Sequence, residues 1–262
     1  MINFLKLFFV YVFVVFVVFF GSQLASSAKE LSIGLVPGGG VDAVFEQDAF
    51  KLAKIQYKAF AKDDYQLANI MNFDVIGVGV TAYDLNDDLK ANFQNLNEYV
   101  KRGGYLVTVD YQQDATWKAE YLPYPIALLD ANDVDEGVEI EIKDHQIWNT
   151  PNKITKDNFV GWGVGDFVAD APNEAKDPWK TLLIANNWPV VVGASYGQGY
   201  VVFSSLQIIQ ALGRTSNPKI AEVLQNFLLW RGALAVDPKG CLSTTWAHLN
   251  ISITNLARKP FS

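Results

Sequence analysis

FDVIGVGVTAYDLNDDLKANFQNLNEYVKRGGYLVTVDYQ, residues 73–112, is the stretch whose reading decides the fold. Phe73 to Val80 is a short apolar run rich in Val, Ile and Gly, too short for a helix and without polar alternation. That is the pattern of a strand covered on both faces. After the loop Thr81 to Asn86, apolar residues recur at Leu89, Phe93, Leu96, Tyr99 and Val100, a helical stripe that stops at Lys101, Arg102 and Gly103-Gly104. Tyr105 to Val109 then predicts a second buried strand. Strand, crossover helix and strand make a βαβ unit, whose connection is right-handed and whose ligands collect beyond the carboxyl ends of the strands.

Working outward, Leu31 to Val36 predicts the first strand, and Pro37-Gly38-Gly39-Gly40 a loop at its carboxyl end. Val41 to Leu52 predicts a helix with Val41, Val44, Phe45, Phe50 and Leu52 as its apolar set. Ile55 to Phe60 alternates as a half-exposed strand near a sheet edge does, and Lys62 to Ile70 predicts a short helix with Asp63-Asp64 as a solvated cap. The order β-α-β-α-β-α-β implies an open parallel sheet with helices on both sides. Past Gln112 come an aromatic and proline-rich crossing segment, Trp117 to Pro125, and an alternating strand, Val138 to Ile142, with Glu139 and Glu141 facing water. Thr155 to Trp162 predicts a helical turn or two, and Gly163 to Trp179 a loop. Pro189 to Tyr196 and Gly199 to Ser204 predict a late β-hairpin, and Asn217-Pro218 the start of the last helix.

With 262 residues, half of them apolar, the chain can bury one substantial core. A net charge of -7 and a pI near 4.9 give no basic footprint for phosphate backbones, so no nucleic-acid partner is expected. Cys241 has no second cysteine to pair with, and His145 and His248 alone make no zinc-type ligand set. Nothing in the sequence asks for a metal or a cofactor. At the amino terminus Lys6 precedes the unbroken apolar run Leu7 to Phe20, and Ser26-Ser27-Ala28 places small residues where a signal peptidase reads. The expectation is a signal peptide over residues 1–28 and a secreted or periplasmic domain over 29–235, followed by a tail over 236–262. The alternative is an uncleaved membrane anchor through residues 7–25.

Two readings attach to the rim where the strands end. In one, Asp110 and Asp42 anchor a carbohydrate or other polar small molecule with Thr81, Gly39 and Gly40, while Tyr83, Tyr111 and Trp117 stack on it. In the other, Asp110 caps a turn and the aromatics plug the crevice, since pockets and plugs share one composition. PGGGVD, residues 37–42, is open to the same division between an anion-binding turn and a plain strand-to-helix turn. His145 is a general-base candidate or a structural histidine.

The series IGLVPGGGVD (33–42), FDVIGVGVTAYD (73–84), NLNEYVKRGGYLVTVDYQ (95–112), PYPIAL (123–128), DHQIWNTPNKIT (144–155), DNFVGW (157–162) and YGQGYVVFSSL (196–206) resembles the glutamine-amidotransferase-like domain found fused to some PIG-L type deacetylases. More distantly it is similar to ThuA-like proteins and class I glutamine amidotransferases, over about Leu31 to Trp230. The resemblance implies a flavodoxin-like three-layer α/β sandwich with a mostly parallel sheet. Active relatives carry a cysteine after the strand matching Tyr105 to Val109 and a histidine after the one matching Gly199 to Phe203. Here those places hold Asp110-Tyr111-Gln112 and Ser204-Ser205, so the nucleophile and its proton acceptor are both missing. The expectation is a pseudoenzyme: a non-catalytic extracytoplasmic binding or interaction module. The alternative is a hydrolase acting on a carbohydrate or amide through Asp110 and His145. An assembly role, with the tail or the Trp162 to Trp188 region docking on a partner protein domain, is the third.

Overall fold

The computed structural model describes residues 31–109, 117–128, 134–172 and 174–235, with Asp42 and 232–235 described by backbone alone. Among these residues ten strands are present: β1 Ile33–Val36, β2 Lys58–Ala59, β3 Val75–Val78, β4 Tyr105–Thr108, β5 Val134–Asp135, β6 Ile140–Ile142, β7 Asp166–Val168, β8 Lys180–Ala185, β9 Trp188–Tyr196 and β10 Gly199–Ser204. Eight form one sheet in the order β2-β1-β3-β4-β10-β9-β8-β6, and β5 pairs with β7 separately. From β2 through β10 every neighbouring pair is parallel, with Ile33 opposite Val75, Val75 opposite Tyr105 and Tyr105 opposite Tyr200. The last three neighbours, β10-β9, β9-β8 and β8-β6, are antiparallel. The sheet is therefore mixed, and the antiparallel wing is larger than the single hairpin expected.

Alternation along the strands builds two cores. Leu35, Val75, Tyr105, Val107 and Val202 face one cluster together with Phe50, Ile209, Leu224 and Phe227. Val36, Ile76, Val78, Leu106, Val201 and Phe203 face the other, together with Leu89, Leu96 and Tyr99. Helices thus cover both faces of an α/β sheet, as the period of two in strands requires.

The helix Asp87–Lys101 matches its sequence signals. Asn86 caps it by accepting from the Leu89 N–H at 3.0 Å. Leu89, Leu96, Tyr99 and Val100 are buried, and Gly103, at φ +113, turns the chain into β4. The Tyr105 amide donates to the Tyr99 hydroxyl at 3.1 Å, which locks the helix end onto the strand it feeds.

Elsewhere the sequence misleads in identifiable ways. Val41 to Leu52 is a 3-10 turn, Asp42–Phe45, followed by an α-helix, Glu46–Leu52. The expected apolar set fails: Val41, Val44 and Leu52 are exposed at 81, 69 and 40 %. The inward face is Glu46, Ala49, Phe50 and Ala53, a regular i, i+3, i+4, i+7 set whose first member is charged. Asp64 is not a solvated cap but a buried residue, accepting from the Ala61 N–H at 2.9 Å and pairing with Lys58 at 2.6 Å. Helix Ile208–Thr215 follows β10 and was not foreshadowed: Ile208, Ile209, Ala211 and Leu212 do recur at helical spacing, but the run follows so closely on the apolar strand β10 that the two merge in the sequence. Asn186 and Asn187, at φ +48 and +71, make the tight β8–β9 turn, and the sequence sign for it is the paired asparagines. Trp162 and Trp179 lie in the two cores. Among the described residues no helix is long and apolar enough to cross a membrane. The leader, Cys241 and the tail fall outside the described residues.

Candidate functional site

The chain leaves β1 toward β2 on one side and β3 toward β4 on the other, so the carboxyl ends of β1 and β3 flank the point where strand order reverses. In open α/β sheets ligands bind at such a point. The loops there are Pro37 to Gly40 and Gly79 to Thr81, and they are stapled together. Gly39 N–H donates to the Val80 carbonyl at 2.9 Å, Thr81 Oγ1–H donates to the Gly39 carbonyl at 2.8 Å, and Asn86 Nδ2 donates to the Pro37 carbonyl at 3.1 Å. Thr81 is held at φ +51, a left-handed conformation that a β-branched residue enters only when its surroundings fix it.

Between the loops lies the carboxylate of Glu46, only 7 % exposed. Oε1 accepts from the Gly38 N–H at 3.0 Å and from the Val80 N–H at 2.9 Å, and Oε2 lies 3.2 Å from the Gly38 nitrogen. Burial pushes Glu46 up to about 7, against the pull of the Val80 and Gly38 N–H groups toward the ionised form. A side chain on Gly38 or Gly79 would overlap this carboxylate, which explains glycine at both places. Sequence reading missed Glu46. Its spacing of three, four and seven residues from Ala49, Phe50 and Ala53 is the signal that places it on the buried face.

Of the eleven buried polar or charged residues among those described, eight belong to this rim: Glu46, Asp84, Thr108, Asp170, Ser204, Ser205, Gln207 and Gln210. Buried polar groups are costly and need partners, so their concentration at one end of the sheet marks it apart from the rest of the core. Ser204 Oγ accepts from the Leu206 N–H at 3.2 Å, and Ser205 Oγ–H donates to the Asp170 carbonyl at 3.4 Å. The two serines that stand where a catalytic histidine was sought therefore fix the backbone entering the next helix.

The proposed ligand residues part company. Gly39, Gly40 and Thr81 are together in the stapled crevice, with Gly40 at φ +72. Asp42 begins the 3-10 turn beyond them. Tyr83 is 1 % exposed; its ring stacks on Tyr121 at 5.4 Å and meets the edge of Trp117 at 5.3 Å, a plug rather than a platform. Burial pushes its hydroxyl far up, opposed by the neighbouring Thr108 hydroxyl. Asp110 and Tyr111 lie outside the described residues, just after Val109, whose N–H donates to the Val78 carbonyl at 3.1 Å.

His145 sits at the other end of the sheet. It lies against Tyr200, which is opposite Tyr105 at the amino-terminal start of β4. Its Nδ1 accepts from the Ile147 N–H at 3.1 Å, which leaves the proton of the neutral ring on Nε2, 3.4 Å from the Tyr200 hydroxyl. Trp230 packs edge-on at 5.0 Å. Burial lowers the His145 pKa, with Asp144 opposing. These contacts make it the cap of the turn Gln146–Trp148.

Among the described residues no cluster of three or more His, Cys, Asp or Glu is placed to hold a metal ion. No family model matches the chain, and no curated protein is significantly similar to it. Solved structures do match in shape. A putative GMP synthase subunit from Thermoplasma acidophilum superposes with a TM-score of 0.50 at 10% identity, over 80% of this chain and 98% of that one. A cytoplasmic protein from Salmonella typhimurium gives a TM-score of 0.49 at 16% identity, over 75% and 97% of the two chains. An exo-beta-1,4-mannosidase from an Opitutaceae bacterium gives 0.44 at 12% identity, with 35% of that chain covered. At 10% identity the likeness to the Thermoplasma protein is one of fold alone.

Proposed function

We propose that the chain is a non-catalytic binding or interaction module on a flavodoxin-like, glutamine-amidotransferase-like scaffold, exported from the cytoplasm by its apolar leader or anchored by it. The observation that carries this is the crevice at β1 and β3: its Gly38 and Val80 N–H groups are engaged by Glu46 and its Gly39 N–H by the facing loop, where a working site would leave donors for substrate. The five parallel strands run in the order expected of a flavodoxin-like sheet, and the fold shared with the putative GMP synthase protein is in keeping with an amidotransferase-like scaffold. Around the stapled loops Val41, Val44 and Leu85 are exposed at 81, 69 and 51 %, and Leu85 lies against Gly39 and Gly40. Apolar side chains rimming a closed crevice favour contact with a partner protein over capture of a sugar.

The test has two parts. Purified protein is assayed for glutamine-dependent ammonia release and for hydrolysis of a glycoside panel, with no turnover expected. A photoreactive residue at Val44 is expected to give a cross-linked adduct in the native host, and one at exposed Glu139 to give none. Turnover that survives repurification and is lost in Asp110→Asn would overturn the proposal in favour of a hydrolase.

A further inference from the structure

A buried carboxylate that bridges two loops through backbone N–H groups is chemically a bound ligand that happens to be tethered. At the β1–β3 crevice the receiving side is complete without it: Gly38 and Val80 point their amides at one spot, and Gly38 and Gly79 lack the Cβ atoms that would fill it. The giving side is a short element, the seven-residue helix Glu46–Leu52, led in by a 3-10 turn with Val44 exposed. The pocket therefore belongs to the two strand ends, whereas its occupant belongs to a different segment.

We propose that this crevice is a carboxylate-binding site in which Glu46 is the resident intramolecular ligand, and which takes a free small carboxylate when the Glu46 side chain is withdrawn. The site recognises one oxygen with two converging N–H donors and a second oxygen with the Gly38 N–H. A planar carboxyl group matches that arrangement, and chloride, a single atom, presents no second acceptor. No arginine or lysine takes part, so selection rests on geometry, and the burial that favours a protonated Glu46 makes uptake of the free ligand stronger as pH falls toward the acid form. Two other groups bear on the charge there. Tyr57 is pushed up by burial and by the Glu46 charge and stays neutral through the physiological range, and Arg214 lies over the Phe45 ring at 5.6 Å, one residue from Glu46. The proposal goes beyond the module reading and stands or falls separately from it, because it concerns occupancy of the crevice and not what the surface meets.

The experiment compares full-length wild type, Glu46→Ala and Glu46→Gln in thermal unfolding with added sodium formate against sodium chloride at matched ionic strength. In Glu46→Ala formate is expected to raise the Tm by about 4 °C at a tenfold excess over its Kd, with chloride without effect. Wild type, whose own carboxylate fills the site, and Glu46→Gln, whose amide oxygen still meets both N–H groups, are expected to stay flat. A folded Glu46→Ala that responds equally to formate and chloride overturns the proposal. If Glu46→Ala does not fold, wild-type amide resonances decide: Gly38 and Val80 are expected to shift together with the Glu46 carboxyl between about pH 5 and about pH 8. Amides that stay still while that carboxyl titrates overturn it too.

Discussion

Replacing Glu46 with Gln isolates the cost of a charge inside the rim. The carboxyl rises from its ordinary value of 4.5 to about 7 on folding, with burial as the main cause. The fold therefore favours the protonated form. Its contribution is fully present below about pH 4.5 and is lost as pH rises through about 7. At about 1.4 kcal/mol for each pH unit between those two values, the loss amounts to about 3 kcal/mol. Gln keeps an oxygen where Oε1 meets the Gly38 and Val80 N–H groups and carries no charge at any pH. Urea unfolding of both proteins across about pH 5 to about pH 8 is the assay. The difference in unfolding free energy, Gln variant minus wild type, is expected to grow by about 3 kcal/mol in favour of the variant as pH rises. A difference that stays constant, or that moves toward wild type with rising pH, refutes the reasoning. The latter result would mean that the two N–H donors outweigh burial and hold the carboxylate ionised.

Other consequences can be checked in the same way. Glu136 accepts from the consecutive amides of Gly161, Trp162 and Gly163; burial pushes its carboxyl up, but the three donors together pull it below the usual range. Glu136→Gln should therefore cost stability at neutral pH, by about 1–2 kcal/mol in urea unfolding, and the gap should close as pH falls from 4.5 through the lower folded value. Asn226, fully buried, accepts from the Asn152 N–H at 2.9 Å and donates to the Ile147 and Asn152 carbonyls at 2.7 Å each. Asn226→Leu should destabilise by about 3 kcal/mol or more, read as a lowered urea midpoint with unchanged m. Leu96→Ala, on the buried face of the helix Asp87–Lys101, should cost about 2–5 kcal/mol. The His145 imidazole should titrate below its ordinary 6.5 in a proton NMR series, so stability present above 6.5 declines as pH falls through the folded value.

The centre of the fold was legible because residues 73–112 combine three independent signals: an unbroken apolar strand, a 3.6-residue stripe and a Gly-Gly stop. All three are local, and the observed β3, helix Asp87–Lys101 and β4 follow them closely. The rim was less legible because its decisive group works through distance in sequence: Glu46 meets Val80 across 34 residues. A charged residue heading a buried face reads as an error in the pattern unless the far partner is known. Val41 and Val44 misled for the converse reason, being apolar and outside. The aromatics Tyr83 and Trp117 were ambiguous in composition, and only their mutual packing with Tyr121 showed that they seal the space between helix and sheet.

The large sheet terminates in β2, two residues long, and β6, three residues long. Each margin offers an incoming chain too few free peptide groups for ladder growth, and Lys58 adds a charge to one of them. Copies of the chain at high concentration are thereby hindered from zipping edge to edge into fibres.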